Sequence, residues 1–441
     1  MKSKKILMVG RWGKTHALGK AIVEKSSQNT ELFCYMDKEN PGLLSLVIDY
    51  KVGNMKDNDD IAKYAKYLDV DYVIAVPHMS LRTDIADYMD ENGIKCIGPN
   101  KRCSKLETSK NFLRNILKKT DLGVSPKHFL FTSKEEAIEH IKNIDYDFAV
   151  KPVGVTEGDG VKVVGIQLED KKEAISYTKE VFDKNIGGIP QVLIEEKLIG
   201  REYTIQTFVD EKVAWGMPAT RDYKLLYEGE RGINTPGMGS ISFPNHLLPF
   251  LSKDEYYYSL DIISKVLHYL KDNYGDIYKG FLSGQFIKTK NGIKVIEFNV
   301  RPGDSEILNI IPILETDFVE ICDAILQHRL KEMKIVYENK ATVCKYVVGE
   351  GFPHSEDNMI MDIDEEGIKE GGGELFYSCF KVRKNVYEPS PRGVAVTAKG
   401  DNLTEAHDLC EKLINENITG DKIWHREDIG TLELLNKHRL D

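Results

Sequence analysis

Glu297, Asn299 and Arg301 recur at every second position of the run Lys294-Val-Ile-Glu297-Phe-Asn299-Val-Arg301-Pro-Gly-Asp304. The run follows Gly280-Phe-Leu-Ser-Gly-Gln-Phe-Ile-Lys-Thr-Lys290 across Asn291-Gly292. Asn-Gly between two apolar-alternating runs is a strong hairpin signal. Strand side chains alternate between faces, so these three polar groups share one face with Val295, while Ile296, Phe298 and Val300 pack behind. Burying a carboxylate and an amide beside apolar neighbours is costly without a partner. A carboxylate, an amide oxygen and a guanidinium suit Mg2+ (or Mn2+) that also carries phosphate oxygens, because Mg2+ takes one or two protein carboxylates plus substrate phosphates. That points to chemistry on ATP. A two-residue turn sets Phe286 opposite Glu297; a one-residue register change substitutes Gln285 as a further oxygen ligand.

Other residues gain meaning beside that pair. Gly154-Val-Thr-Glu-Gly158-Asp159-Gly160 lies between two strands, so it is neither a Walker loop nor a dinucleotide fingerprint. Such a loop can close over phosphates with its backbone N–H groups, or it can be a plain connection. Lys151 leads into it and Lys110 lies about forty residues earlier; either lysine alone reads equally as a solvated charge. Glu195 and Glu196 end an apolar run, so one points inward, where it could accept from nucleotide hydroxyls. The segment from Arg221-Asp222-Tyr-Lys224 to Asn234-Thr235-Pro236-Gly237 is polar and glycine-punctuated, and reads as a mobile linker or a substrate loop. His16 and His78 each follow an early strand, where open α/β sheets bind ligands.

The elements that must position these groups come next. Lys5–Val9, Leu32–Met36, Val70–Val76 and Cys96–Pro99 read as strands alternating with helices at about 16–25, 61–68 and 81–92, which implies an open parallel sheet. Residues 104–120 read as one helix carrying Lys110. Ser133-Lys-Glu-Glu136 reads as a capping box for a helix through Ile144. Residues 148–153 and 161–166 read as strands around the glycine loop, followed by a helix to about Lys184. Residues 192–196 and 202–209 are further strands, and 253–272 a helix. From about Ala341 short strands and one late helix, 403–415, suggest a separate C-terminal unit.

Composition narrows the class. The chain has 441 residues, 41% hydrophobic and 29% charged, with a formal charge of −10. These values suit a globular protein of several domains, and no basic block invites nucleic acid or an acidic membrane. Seven cysteines without a CxxC pair argue for a reducing cytoplasm rather than a disulfide framework. The apolar run Ile6-Leu-Met-Val9 is too short for a signal peptide or a span.

Taken in order, the motifs resemble the ATP-grasp superfamily, and within it the glycinamide ribonucleotide synthetase family, archaeal branch. The resemblance spans Gly13-Lys-Thr-His16-Ala-Leu18, Ile97-Gly-Pro99, Leu106-Glu-Thr-Ser-Lys110, Ile194-Glu-Glu196, Gly237-Met-Gly239, Glu297-Phe-Asn299, Lys340-Ala-Thr-Val-Cys-Lys-Tyr346, Gly351-Phe-Pro353 and Arg426-Glu-Asp-Ile-Gly430. It implies an α/β ATP-grasp fold: an N-terminal preATP-grasp parallel sheet (1–104), a linker and first central helix (105–125), a small α+β lid (126–196), a central antiparallel-sheet domain (197–335) and a small C-terminal domain (336–441). It implies ATP contacts from Lys110, Lys151, Gly158, Gly160, Glu195, Glu196 and Glu202, with Mg2+ (or Mn2+) on Glu297 and Asn299. Catalytic roles fall to Asn234, Arg301 and Asp304, and substrate contacts to His16, His78, Asp222, Lys224, Thr235 and Gly237. The implied activity is an ADP-forming carboxylate–amine ligation through an acyl phosphate in purine biosynthesis. The partners are then a small-molecule amine and an amino acid, without nucleic acid or membrane; a homo-oligomer is compatible with this. A paralog with another amino acid or amine, and a nucleotide-binding regulatory protein, are the competing readings.

Departures cluster on the substrate side. Lys14 and Thr15 replace two residues of the family's GREHAL, and Pro77-His78-Met-Ser-Leu81 stands for PEAPL. Asp222-Tyr-Lys-Leu225 stands for DHKR, Pro236 interrupts NTGGMG, Pro302-Gly-Asp-Ser-Glu306 stands for FGDPE, and Asp159 replaces the lysine of the lid GKG.

Overall fold

The computed structural model describes residues 3–76, 84–154, 160–355 and 357–437. Four sheets organise them. The strands Asp49–Val52, Thr30–Met36, Lys4–Val9, Tyr72–Ala75 and Cys96–Ile97 lie in that order in an all-parallel sheet. The helices Gly13–Glu24, Asn58–Leu68 and Ile85–Glu91 connect them. The apolar runs of the inner strands are buried on both faces, as a covered parallel sheet requires.

His128–Phe131, Val192–Glu196, Phe148–Pro152 and Lys162–Val163 form a small antiparallel sheet. With the helices Lys134–Asn143 and Lys171–Asp183 it closes a core of its own around Ile141, Phe148, Val181 and Ile194. The central sheet runs Val213–Gly216, Gly200–Glu211, Tyr278–Thr289, Gly292–Asn299, all antiparallel. The helix Lys253–Tyr274 packs on it through Ile262, Val266 and Leu270, opened by a capping box of Ser252 and Glu255. The fourth sheet includes Ala341–Gly349, Glu374–Arg383 and Val386–Gly400, backed by the helix Leu403–Asn417. No helix of the described residues is long and apolar enough to cross a membrane. All seven cysteines are free and buried.

Several expected elements differ. Residues 104–120 form two helices, Lys105–Thr108 and Lys110–Lys119, because Ser109 is extended and caps the second by accepting from the Phe112 N–H. Lys110 therefore opens a helix rather than lying inside one. Ser133 accepts from the Glu136 N–H and its hydroxyl donates to Glu135, but the return bond from the Ser133 N–H to the Glu136 carboxylate, which would complete the box, is not made. The strand after the glycine loop is only Lys162–Val163. The expected polar loop over 221–239 is a hairpin, Arg221–Tyr227 with Arg231–Ser242, and its second strand pairs with Ala341–Gly349. That pairing carries the fourth sheet across the border expected at 335/336. Of the helix expected at 81–92, residues 81–83 lie outside the described residues.

Candidate active site

The strands Tyr278–Thr289 and Gly292–Asn299 form the expected hairpin, with Lys290 and Asn291 in its turn. Gly292, at φ +94°, is already the first strand residue. The register slips once: Gln285 pairs with Glu297, but Phe286 pairs with Val295. Ile296 is thus the extra residue of a β-bulge. The bulge corrects the simple alternation. Val295 joins Ile293, Phe298 and Val300 in the central core, while Ile296 is only half-buried. Glu297 and Asn299 keep the opposite face. Arg114 stabilises the kink by donating to the carbonyls of Val295 at 3.2 Å and Ile296 at 2.7 Å.

Around this face the charges converge. Lys110 Nζ donates to the Gly154 carbonyl at 3.1 Å. Burial lowers its pKa, and the Lys151 charge adds to that, while Glu297 opposes it. Lys224 Nζ donates to Gln285 Oε1 at 2.8 Å, across from Glu297. Burial works against the Glu297 carboxylate, but Lys224, Lys110, the Asn299 amide and Lys151 together hold its pKa below the usual value. Asn299 Nδ2 lies 3.3 Å from Glu297 Oε1. Two side-chain oxygens on one strand face among three lysines fit a hard cation that arrives with phosphate. Among the described residues no group of three or more His, Cys, Asp or Glu could hold a metal ion without such help.

Glu195 is the inward member of its pair and is 1% exposed. Its carboxylate is fully committed: Arg114 donates at 2.6 and 3.2 Å, and Lys151 binds the second oxygen. Burial opposes ionisation, yet Arg114 and Lys151 bring its pKa down to about 2. Glu195 is therefore an anchor for Lys151 and Arg114, not an open acceptor for nucleotide hydroxyls. Glu196 turns outward and accepts from the Lys127 N–H at 2.9 Å. Glu202 is exposed on the central sheet, within electrostatic range of Asp222 and Lys224. The Gly160 carbonyl accepts from Tyr177 at 2.7 Å.

The remaining expectations divide. Arg301 does face the site, braced by Glu107, whose oxygens accept from Arg301 Nε and the Val300 N–H, each at 2.9 Å. Asp222 and Lys224 come together there too. Asn234 is half-buried opposite Leu225 and makes no side-chain hydrogen bond with a described residue. Thr235 is not open to a substrate: its hydroxyl donates to the Lys224 carbonyl at 2.8 Å and accepts from the Gly237 N–H at 3.0 Å. Gly237 sits at φ +113°, where a Cβ would press on Asp222 and Arg392. Asp304 is also spent. It takes the Tyr346 hydroxyl, Arg392 at 2.9 Å and the Lys14 N–H at 3.3 Å, which makes it a knot between parts of the chain rather than a reacting group. His16 lies outside the site. Its ring is buried between Phe376 and Tyr377 and accepts from the Tyr377 N–H at 3.1 Å. Burial, then the Lys20 charge, lowers its pKa to about 3, so it packs as a neutral ring. His78, Gly158 and Asp159 lie outside the described residues.

Sequence reasoning missed Arg114, Glu107, Glu306 and Arg392. Glu107 and Arg114 sit three and four residues from Lys110, so a search along that helical stretch for further buried charges had a chance of finding them. Lys14 was noted only as a departure. It is 5% exposed, and burial followed by the Arg301 charge lowers its pKa to about 7, against the pull of Asp304 and Glu107.

Comparison with known proteins accords with this geometry. Residues 4–107 match the family described as phosphoribosylglycinamide synthetase, N domain, and residues 108–307 match the phosphoribosylglycinamide synthetase ATP-grasp (A) domain. The chain is 39% identical over 437 residues to a phosphoribosylamine–glycine ligase of Methanopyrus kandleri, covering 98% of this chain and 97% of that protein. It is 40% identical over 439 residues to one of Methanococcus maripaludis, covering 98% of each. Its fold superimposes on a crystal structure of phosphoribosylamine–glycine ligase from Thermotoga maritima with a TM-score of 0.79 at 22% identity, over 96% of this chain and 100% of that one. The fold is shared with the biotin carboxylase domain of a Hydrogenobacter thermophilus 2-oxoglutarate carboxylase, solved with MgADP, at a TM-score of 0.74 and 15% identity, over 96% and 92%.

Proposed function

The chain belongs to the phosphoribosylglycinamide synthetase family, and from that premise we propose that it is an ATP-dependent ligase joining glycine to phosphoribosylamine. The observation that carries the reading is that Lys110, Lys151 and Lys224 all lie within electrostatic range of the Glu297 carboxylate, beside Asn299 on the same strand. A half-buried carboxylate within electrostatic range of three cations, next to an amide oxygen, is arranged for a polyanion and its metal.

In this reading the triphosphate lies between the small sheet carrying Lys151 and the central hairpin. Lys110 and Lys151 meet its oxygens, with Glu195 holding Lys151 in place. The segment around Glu196 and Glu202 borders the nucleoside. Glu297 and Asn299 would hold Mg2+ (or Mn2+), which supplies charge neutralisation on the phosphate oxygens. The glycine carboxylate oxygen attacks the γ-phosphorus and the bond to ADP breaks, giving an acyl phosphate. The nitrogen of phosphoribosylamine then attacks the carbonyl carbon. Its C–O bond to phosphate breaks, a proton leaves the nitrogen, and amide and phosphate separate. The protein's part is positioning and charge stabilisation. Lys110, Lys151 and Arg301 offset developing negative charge, and Lys224 and Asp222 line the acceptor side.

The test is phosphate release from Mg-ATP with glycine and phosphoribosylamine, with the amide identified by mass. Release that needs both supports the reading. Release with a different amine or acid alone, or nucleotide binding without release from any pair, overturns it.

A further inference from the structure

The hairpin Arg221–Ser242 and the C-terminal unit enclose a cleft that shares no residue with the site described above. Its volume is about 410 Å3, and Tyr227, Glu228, Arg231, Trp424 and His425 line it. The pairing of Trp424 with Val348, and the turn that joins Tyr227 to Arg231, set two aromatic rings side by side. Their centroids are 6.1 Å apart and their planes 24° from parallel. Tyr227 is 53% exposed, so the stack is not closed over. The rings are not needed to join the two walls. Arg426 already does so, and the Gly229 N–H and carbonyl are held by Asp428 and Lys437, each at 2.7 Å.

The polar groups of the cleft are oriented but unspent. Arg231 bends its Nε onto the Glu228 carbonyl at 3.0 Å, and no described residue accepts from its two terminal nitrogens. No described residue bonds the Glu228 carboxylate. His425 is fixed through Nε2, 3.1 Å from both oxygens of Glu411, and the buried Lys345 holds Glu411 in turn. Its Nδ1 is bonded to no described residue.

We propose that this cleft binds a mononucleotide, with the base against Tyr227 and Trp424 and the phosphate on Arg231. Aromatic faces stack on any base. A guanidinium meets a phosphate through paired, charge-assisted hydrogen bonds. The fixed imidazole of His425 offers a further polar contact, and the Glu228 carboxylate accepts from a ribose hydroxyl or a ring amine. The volume lies in the range of small-molecule pockets. Charge limits the number of phosphates: one arginine and one imidazole beside one glutamate suit a monophosphate, not a triphosphate. The nucleotide sits at the tip of the hairpin whose base carries Asp222 and Lys224, outside the reaction site.

AMP is the probe. Equilibrium dialysis counts radiolabelled AMP bound by the full chain, comparing wild type with R231Q and Y227L. At saturation wild type should hold one equivalent more than either variant, while all three bind a non-hydrolysable ATP analogue within twofold. Adenosine and ribose 5-phosphate should each displace the extra equivalent at least tenfold more weakly than unlabelled AMP. Equal AMP binding by wild type and both variants overturns the proposal. So does displacement by either fragment as strong as by AMP, which would leave the rings or the arginine without a role. Crystals of the full chain soaked with 8-bromo-AMP locate the ligand without any variant. An anomalous bromine peak beside Tyr227 and Trp424 supports the cleft; a peak only beside Lys110 and Lys151, or none, overturns it.

Discussion

Gln285 lies directly across the hairpin from Glu297 because the partner strand carries one extra residue, Ile296, between Val295 and Glu297. In an unbroken register Phe286 would take that place. Arg114 secures the kink through the carbonyls of Val295 and Ile296, and the same guanidinium grips Glu195 on the small sheet. Replacing Arg114 with methionine leaves Glu195 with Lys151 alone and two backbone carbonyls unpaired. Breaking a buried pair in this way costs about 3–5 kcal/mol. Urea unfolding should register that loss, and R114K should recover only part of it, because an ammonium lacks the bidentate fork.

Glu297→Ala should lower ATP-dependent phosphate release by ~100-fold or more, the scale on which single charge-stabilising groups act. Its melting temperature should stay close to wild type, since the carboxylate contributes no apolar packing. Retained turnover would remove Glu297 from the metal site. Gln285→Leu frees Lys224 from its hydrogen bond and should slow phosphate release while leaving nucleotide affinity within twofold.

His16 packs rather than binds. Converting it to phenylalanine strands the Tyr377 N–H, an unsatisfied buried donor worth about 1–3 kcal/mol. Stability should fall by that order, with the KM values for ATP, glycine and amine unmoved. A selective rise in one KM would return His16 to the substrate site.

Acid stability follows from two depressed groups. His16 stays neutral in the fold down to about pH 3, against an ordinary 6.5. Unfolded chains therefore bind the extra proton first, and stability drains away as pH falls from 6.5 toward 3. Glu195 adds a second loss below 4.5, its ordinary value, as pH approaches 2. Between pH 6.5 and 4 the histidine alone should cost ~3 kcal/mol. Urea midpoints across that range should fall steeply in wild type and much less in His16→Phe; parallel slopes would refute the assignment.

Arg426, fully buried, ties the tip of the hairpin Arg221–Ser242 to the C-terminal unit through Glu230, Asp428 and the Leu225 carbonyl, each at 2.8–2.9 Å. Arg426→Met should raise KM for glycine and the amine several-fold more than KM for ATP, because that hairpin carries Asp222 and Lys224. Equal changes in all three would assign the residue to stability alone.

The sequence exposes groups whose meaning is local. Glu297 and Asn299 are two residues apart on a strand with a clear turn signal, and Lys151 stands beside its glycine loop. What escaped it depends on distant partners. The Ile296 bulge is supported by a guanidinium more than 180 residues away. Glu195, Thr235, Asp304 and His16 look available until Arg114, Lys224, Arg392 and Tyr377 occupy them. The hairpin 221–242 resembles a loop in composition, with glycines at positive φ at 232 and 237. It becomes sheet because Ala341–Gly349, a hundred residues later, offers it an edge.

That shared edge forbids dissection. A chain stopped near residue 336 would strip Arg231–Ser242 of its neighbour and leave a raw row of amides and carbonyls, an invitation to aggregate. It would also orphan Asp304, whose tyrosine and arginine partners both lie beyond the cut. The final quarter is thus no removable accessory, and a trimmed minimal ligase cannot be carved from this polypeptide.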